Sequence, residues 1–339
     1  MQEIRTEDAV GHVLCHDITQ IIKGQTKDAI FRKGHIVMEE DIPVLLSVGK
    51  EHLFVWEQVE GMLHEDEAAE ILRTLCQNHH MESSLPKEGK IELKATCDGL
   101  FKVNTKKLQA INKLGEIIIA TRHGNTIVKK GDKLAAMRVI PLVIHEKKIE
   151  KAVKIAKGEH LLELKNYHGV KAAIITTGSE VYNGRIKDTF SPVVKEKIEE
   201  LGGEVLSITV LDDQPEAITK EILKQIQYGA QMVLCTGGMS VDPDDRTPLA
   251  IRNTGANIVT YGAPVLPGAM FLLAYYQNKI PIVGLPGCVM YAKRTVFDLA
   301  LPRLMAGEHL EQSDFTTLGE GGLCLSCEIC TYPNCGFGK

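Results

Sequence analysis

The sequence predicts an α/β protein: a doubly wound, mostly parallel sheet over residues 165–310, preceded by an N-terminal extension and a small β-rich module. Three observations carry that reading. From about residue 168 to 310, apolar runs of strand length alternate with helical segments, the signature of βαβ units. Between Ile91 and Ile144, β-branched runs are separated by the turn signals Gly124-Asn125 and Lys130-Gly131-Asp132. Loops rich in Gly, Thr, Ser and Asp follow three of the strand runs, at the sheet edge where ligands of parallel sheets gather. At 44% hydrophobic and 24% charged residues, the 339-residue chain has the composition of a folded protein. The expected division is an N-terminal segment over 1–84, the β-rich module over 85–150, the sheet domain over 165–310 and a cysteine-rich tail over 311–339.

In chain order, Glu40 to Ser47 reads as helix and His52 to Trp56 as a short strand. Glu65 to Leu75 is helical, and the polar stretch Gln77 to Ser84 reads as a linker or loop. Ile117 to Thr121 and Arg138 to Ile144 are the strand runs of the β-rich module, and Lys147 to Lys165 a basic helix leaving it. The sheet domain opens with the buried run Val170 to Thr177. A helix over Ser191 to Leu201 sets Val194, Ile198 and Leu201 on one face and stops at Gly202-Gly203. Strand Glu204 to Leu211, helix Pro215 to Tyr228, strands Met232 to Cys235 and Ile280 to Leu285, and a long helix from Met290 to Met305 complete it.

The three strand-end loops hold the chemistry. Thr177-Gly178-Ser179-Glu180 runs on to Asp188-Thr189. Thr236-Gly237-Gly238-Met239-Ser240 runs into Asp242, Asp244 and Asp245, and Leu285-Pro286-Gly287-Cys288 follows the last strand. Glycines admit close backbone approach, and successive N–H groups form anion-binding concavities. Three carboxylates in four positions suit a hard cation such as Mg²⁺. A Gly-Gly after one strand is equally a tight turn, and one Asp run equally a solvated helix cap. Three such loops at one sheet edge argue for a site. Neither a P-loop nor a G-x-G-x-x-G opening a helix is present.

In order and spacing across residues 177–287, these motifs resemble the molybdopterin-binding domain. Molybdopterin molybdenumtransferases, the gephyrin E-domain, the adenylyltransferases of the same pathway and the competence-damage-inducible proteins share that domain. Glu7-Asp8-Ala9-Val10-Gly11-His12-Val13-Leu14 and Gly34-His35-Ile36-Val37 resemble the opening of the transferase type. The resemblance implies insertion of molybdate into adenylylated molybdopterin with release of AMP, assisted by Mg²⁺. It implies that Thr177, Gly178, Ser179, Glu180 and Asp188 border the pterin and its phosphate, with Glu180 and Asp188 serving catalysis beside Asp245. It implies further that Gly237, Gly238 and Ser240 hold the phosphate, that Asp245 faces metal and molybdate, and that Pro286 and Gly287 wall the pterin. Homodimerisation is also implied by the resemblance.

The sequence departs from the transferase pattern in three loops. Ser179 stands where the family has Asp, and Cys288-Val289 replaces Asn-Pro. Leu266-Pro267-Gly268-Ala269-Met270 lacks the two lysines of the family's Lys-Pro-Gly-Lys-Pro loop. Losing cations beside an anionic substrate weakens capture and transition-state stabilisation.

The tail places Cys324, Cys327, Cys330 and Cys335 in one short segment, a pattern that points to a metal site. The spacing approaches an iron–sulfur run, one residue longer at its end and without the trailing Pro. A Cys₄ zinc site is the rival reading. Cys15, Cys76, Cys97 and Cys235 read as small buried side chains, and a ligand or redox role for Cys288 is the minor reading.

A net charge of −5 and 5% aromatic residues exclude a nucleic-acid-wrapping surface and stacking platforms. The charged N-terminus and short apolar runs predict a cytoplasmic protein without membrane association. The function expected is molybdenum cofactor biosynthesis. The alternatives are a non-catalytic molybdopterin carrier or sensor, and a protein that delivers cofactor to a client molybdoenzyme through the metal site of its tail.

Overall fold

The computed structural model describes residues 2–22, 26–55, 60–240 and 246–339. By its contacts the chain divides into two compact units. The first comprises Met1–Thr96, Val103–Gly124 and Gly131–Glu163, and the second Cys97–Lys102, Asn125–Lys130 and Leu164–Lys339. Among the described residues no helix is long and apolar enough to cross a membrane.

In the first unit, strand Gln2–Arg5 pairs antiparallel with His52–Val55, and Ile18–Ile22 with Thr26–Phe31. Ala9, Leu14, Ile18, Val37, Leu45 and Leu53 are buried together beneath helix Asp41–Ser47. A four-stranded antiparallel sheet follows, in the order Met81–Ser83, Ile91–Ala95, Lys133–Val139, Ile117–Thr121. The predicted linker Gln77–Ser84 therefore contains an edge strand. Only Met81 of its three residues is buried, too few positions for alternation to show. Helix Glu65–Cys76 begins at His64, whose ring nitrogen accepts the Asp66 N–H while Glu67 accepts the His64 N–H.

Two further boundaries differ from expectation. The basic helix spans Glu146–Ala156 and stops short of Lys165, because Lys157 turns left-handed at φ 54° and the chain re-extends as strand Leu162–Lys165. The run Arg138–Ile144 divides between strands Lys133–Val139 and Val143–His145, with Pro141 in the break.

The second unit is built on six strands: β1 (Lys171–Thr177), β2 (Glu204–Leu211), β3 (Met232–Thr236), β4 (Asn257–Tyr261), β5 (Leu272–Tyr276) and β6 (Ile280–Leu285). Their order is β2-β1-β3-β6-β5-β4. The first four are parallel, while β5 runs antiparallel to both its neighbours. Helices α1 (Phe190–Glu200), α2 (Pro215–Gln227), α3 (Thr247–Asn253) and α4 (Val296–Met305) cover the sheet. Alternation along β1 sorts them. Ala172 and Ile174 pack with Val194 and Ile198 of α1 and with Phe297 and Leu301 of α4. Ala173 and Ile175 pack with Ile218 and Ile222 of α2 and with Ala250 and Ile251 of α3. Apolar burial on both faces is why β1 reads as an unbroken apolar run, and it makes the sheet doubly wound as expected.

The long C-terminal helix starts at Val296 rather than Met290. The Thr295 hydroxyl accepts the Phe297 N–H and Asp298 accepts the Thr295 N–H, a cap that fixes the start there. Residues 311–339 belong to the second unit. Phe315 and Phe337 are buried in the same core as α4, and the Tyr332 hydroxyl donates to the Asp298 carbonyl at 2.9 Å.

Candidate functional site

The chain passes from β1 outward to β2, then back across β1 to β3. The direction of winding reverses between β1 and β3, and a doubly wound sheet opens its ligand crevice at the carboxyl ends of such a pair. A cavity of about 980 Å³ lies there, walled by Thr177, Gly178, Ser179 and Glu180 after β1, Asp212 and Asp213 after β2, Gly237 and Gly238 after β3, and Arg246 at the head of α3.

The two central loops touch, and glycine makes that contact feasible. A Cβ on Gly237, which sits at φ +85°, would lie 2.1 Å from the Thr177 carbonyl oxygen. One on Gly238, at φ +53°, would lie 2.9 Å from Thr247 Oγ1. Hydroxyls then tie the strand ends together. Thr177 Oγ1 and Thr247 Oγ1 are 3.1 Å apart, and Thr247 also donates to the Gly237 carbonyl at 2.9 Å. Thr236 donates to Thr176, which lies 2.8 Å from Ser191 Oγ. These bonds satisfy polar groups that would otherwise be buried unpaired at the crevice floor.

Of the residues expected at the site, Thr177, Gly178, Ser179, Glu180, Gly237 and Gly238 come together in the cavity wall. Asp188 is not in it. Its carboxylate caps α1, accepting the N–H groups of Phe190 and Ser191 and the Ser191 hydroxyl. Ser240 is exposed and stands outside the wall. Pro286 is buried and Gly287 exposed, both outside it, although Gly287 approaches the wall residue Phe190. Asp242, Asp244 and Asp245 lie outside the described residues.

Sequence reasoning missed Asp212, Asp213 and Glu216, and gave Arg246, in the second strand-end loop, no role. The Asp213 carboxylate accepts the Ser179 N–H at 2.9 Å. Burial holds its carboxyl above the ordinary range, and the neighbouring Asp212 and Glu180 push the same way against the Ser179 and Thr177 hydrogen bonds. The described wall thus carries the carboxylates of Glu180, Asp212, Asp213 and Glu216 against the guanidinium of Arg246. The signal available was position: Asp212-Asp213 ends a predicted strand, as the recognised loops do.

Among the described residues no three His, Cys, Asp or Glu side chains are grouped as a metal ion would require. Cys324, Cys327, Cys330 and Cys335 instead border a second cavity in the same unit.

Fold and crevice together define a doubly wound domain with a cavity at the switch point of its sheet. Comparison with known proteins adds what the chain is similar to. Residues 173–306 match a family described as a probable molybdopterin binding domain, and residues 3–57 match a domain of unknown function. The molybdopterin molybdenumtransferase of Synechococcus elongatus is 26% identical over 207 residues, 58% of this chain and 47% of that protein. A CinA-like protein of Mycobacterium tuberculosis is 32% identical over 90 residues, 26% of this chain and 21% of that protein. This chain thus spans about half the length of the transferase it matches. A solved structure of the molybdopterin biosynthesis enzyme MoaB from Thermus thermophilus aligns over 41% of this chain and 98% of its own, with TM-score 0.34 and 22% identity. The resemblance read from the sequence stands: the chain is similar to a molybdopterin molybdenumtransferase, and residues 173–306 match the probable molybdopterin binding domain.

Proposed function

We propose that the cavity at the ends of β1 and β3 binds adenylylated molybdopterin and that the protein inserts molybdate into it with release of AMP. The observation that carries this reading is the convergence of the Thr177–Glu180 and Gly237–Gly238 loops on one crevice at the switch point of the sheet. Gly237 and Gly238 line the cavity, where their peptide N–H groups can meet a phosphate. Arg246 supplies a cation for the same anion. Asp213 holds the Ser179 amide and keeps the first loop in place before ligand arrives.

An anionic ligand entering a wall with these carboxylates needs more positive charge than Arg246 offers. The donor set is hard oxygen, which fits Mg²⁺, and the upward push on Asp213 from its acidic neighbours is what a cation would relieve. Glu180, Asp212 and Asp213 offer the oxygen donors it would take, and because they are not grouped as a metal site in the described chain, they would have to close on it. Bound Mg²⁺ would neutralise the pyrophosphate and stabilise the departing AMP.

A second reading, binding without turnover, has an observation of its own. Leu266, in the loop that lacks the transferase lysines, is tied to the cysteine segment. Its N–H donates to the Gly322 carbonyl and its carbonyl accepts the Cys324 N–H. The test is AMP release from adenylylated molybdopterin by the full chain with molybdate and Mg²⁺. Release supports the transferase reading, pterin binding without release supports the carrier, and neither overturns both.

A further inference from the structure

We propose that Cys324, Cys327, Cys330 and Cys335 hold an iron–sulfur cluster in the cavity that all four border. The inference rests on this second cavity alone and is independent of the molybdopterin reading.

Four observations converge. First, of the nine cysteines, these four and no others border the cavity, whose volume is about 520 Å³. Their side chains are not grouped as one metal ion would require, and a cavity of this volume has room for a core that spans them.

Second, the segment is anchored at both ends while its middle stays accessible. A parallel bridge joins Leu323 to Leu266, and Phe337 is buried in the core beside α4. Between the anchors Cys327 and Cys330 are exposed, and Cys324 and Cys335 are half-buried. The anchors limit the chain entropy lost when the four sulfurs close on a cluster.

Third, the charge fits. Four thiolates around an iron–sulfur core leave net negative charge, and the cavity is bordered by Lys293 and Arg294. Lys293 donates to the carbonyls of Cys327 and Glu328, at 3.3 and 2.6 Å. The Arg294 guanidinium hydrogen-bonds the Cys330 sulfur and lies 4.9 Å over the Tyr332 ring. Arg294 Nε is buried without a partner among the described residues, a donor available to a cluster sulfur.

Fourth, Leu323, Leu325, Tyr332 and Phe337 give the cavity an apolar wall. Such surroundings limit solvent access to a cluster and tune its potential. The spacing Cys324-x-x-Cys327-x-x-Cys330 brings three ligands from one short loop, and Cys335 supplies the fourth across the cavity. On binding, each thiol gives up its proton and forms one iron–sulfur bond. Four S–H bonds break and their protons pass to solvent. The iron and sulfide come from solution, and where the iron is supplied as ferric, added dithiol supplies the two electrons that bring four ferric ions to the two-ferric, two-ferrous core.

The test uses the full chain, reconstituted anaerobically with ferric iron, sulfide and dithiothreitol and then desalted. The result expected is about four iron and four sulfide per chain, with the broad visible absorption of a cubane bleached by dithionite. Cys327→Ser and Cys330→Ser, both at exposed positions, should each lose most of the iron while melting like the unreconstituted wild type. Cys97→Ser, away from the cavity, should retain it. The proposal is overturned if the wild type takes up less than one iron per chain, if it binds a single zinc in preference to iron, or if Cys327→Ser and Cys330→Ser hold as much iron as the wild type.

Discussion

Asp213, just past the end of β2, accepts the Ser179 N–H at 2.9 Å, so the strand beside β1 secures the loop into which β1 leads. Asp213→Ala would leave that amide unpaired and free the loop. The expected result is molybdopterin binding weakened by about tenfold, near 1.4 kcal/mol, with secondary structure intact. Equilibrium binding and far-ultraviolet circular dichroism check it, and wild-type affinity would remove Asp213 from the site.

Gly237→Ala probes the contact between the two central loops. The new methyl would meet the Thr177 carbonyl at a residue already at φ +85°. A stability loss of about 2 kcal/mol is expected, together with loss of ligand binding. Chemical denaturation measures the first and pterin retention the second.

Arg246 is the cation in the described cavity wall. Arg246→Ala should weaken molybdopterin about tenfold, and Arg246→Lys should recover part of that, since Lys keeps the charge without the planar fork. Binding at two salt concentrations separates charge from packing, because the charge contribution shrinks as salt rises.

Stability in acid should report Glu308. Burial alone would raise its carboxyl, but Lys102 and Arg303 bring it down to about 2. A carboxylate lowered on folding stabilises the protein above its unfolded value of about 4.3. That stabilisation is lost as pH falls toward 2, and the two-unit separation makes it on the order of 3 kcal/mol. Burial also lowers the Lys102 ammonium, but that cost is constant across the acid range. Glu308→Gln should flatten the decline in melting temperature between pH 5 and pH 2, measured against the wild type at matched ionic strength.

The parallel half of the sheet was legible because β1, β3 and β6 are buried on both faces and leave unbroken apolar runs. The hairpin of β4 and β5 was not. Phe271-Leu272-Leu273-Ala274 is visible as an apolar run, yet its antiparallel return at the sheet edge breaks the alternation of strand and helix that guided the reading. Of the cavity wall, Thr177–Glu180 and Gly237–Gly238 were legible from composition and position. Asp212 and Asp213 were not, since only the order β2-β1-β3 brings the end of β2 beside the first loop. Asp188 carried a motif position but serves the head of α1. In the tail the cysteine spacing was legible, whereas the anchoring through Tyr332 and Phe337 depends on contacts that leave no period in sequence.

The most direct test of the central claim is equilibrium binding of molybdopterin to the full chain and to Gly237→Ala, with retained pterin quantified after desalting. The account predicts about one pterin per wild-type chain, given a single crevice at the switch point, and little in the variant. Wild-type protein that retains no pterin, or a Gly237→Ala protein that retains as much as the wild type, would contradict it.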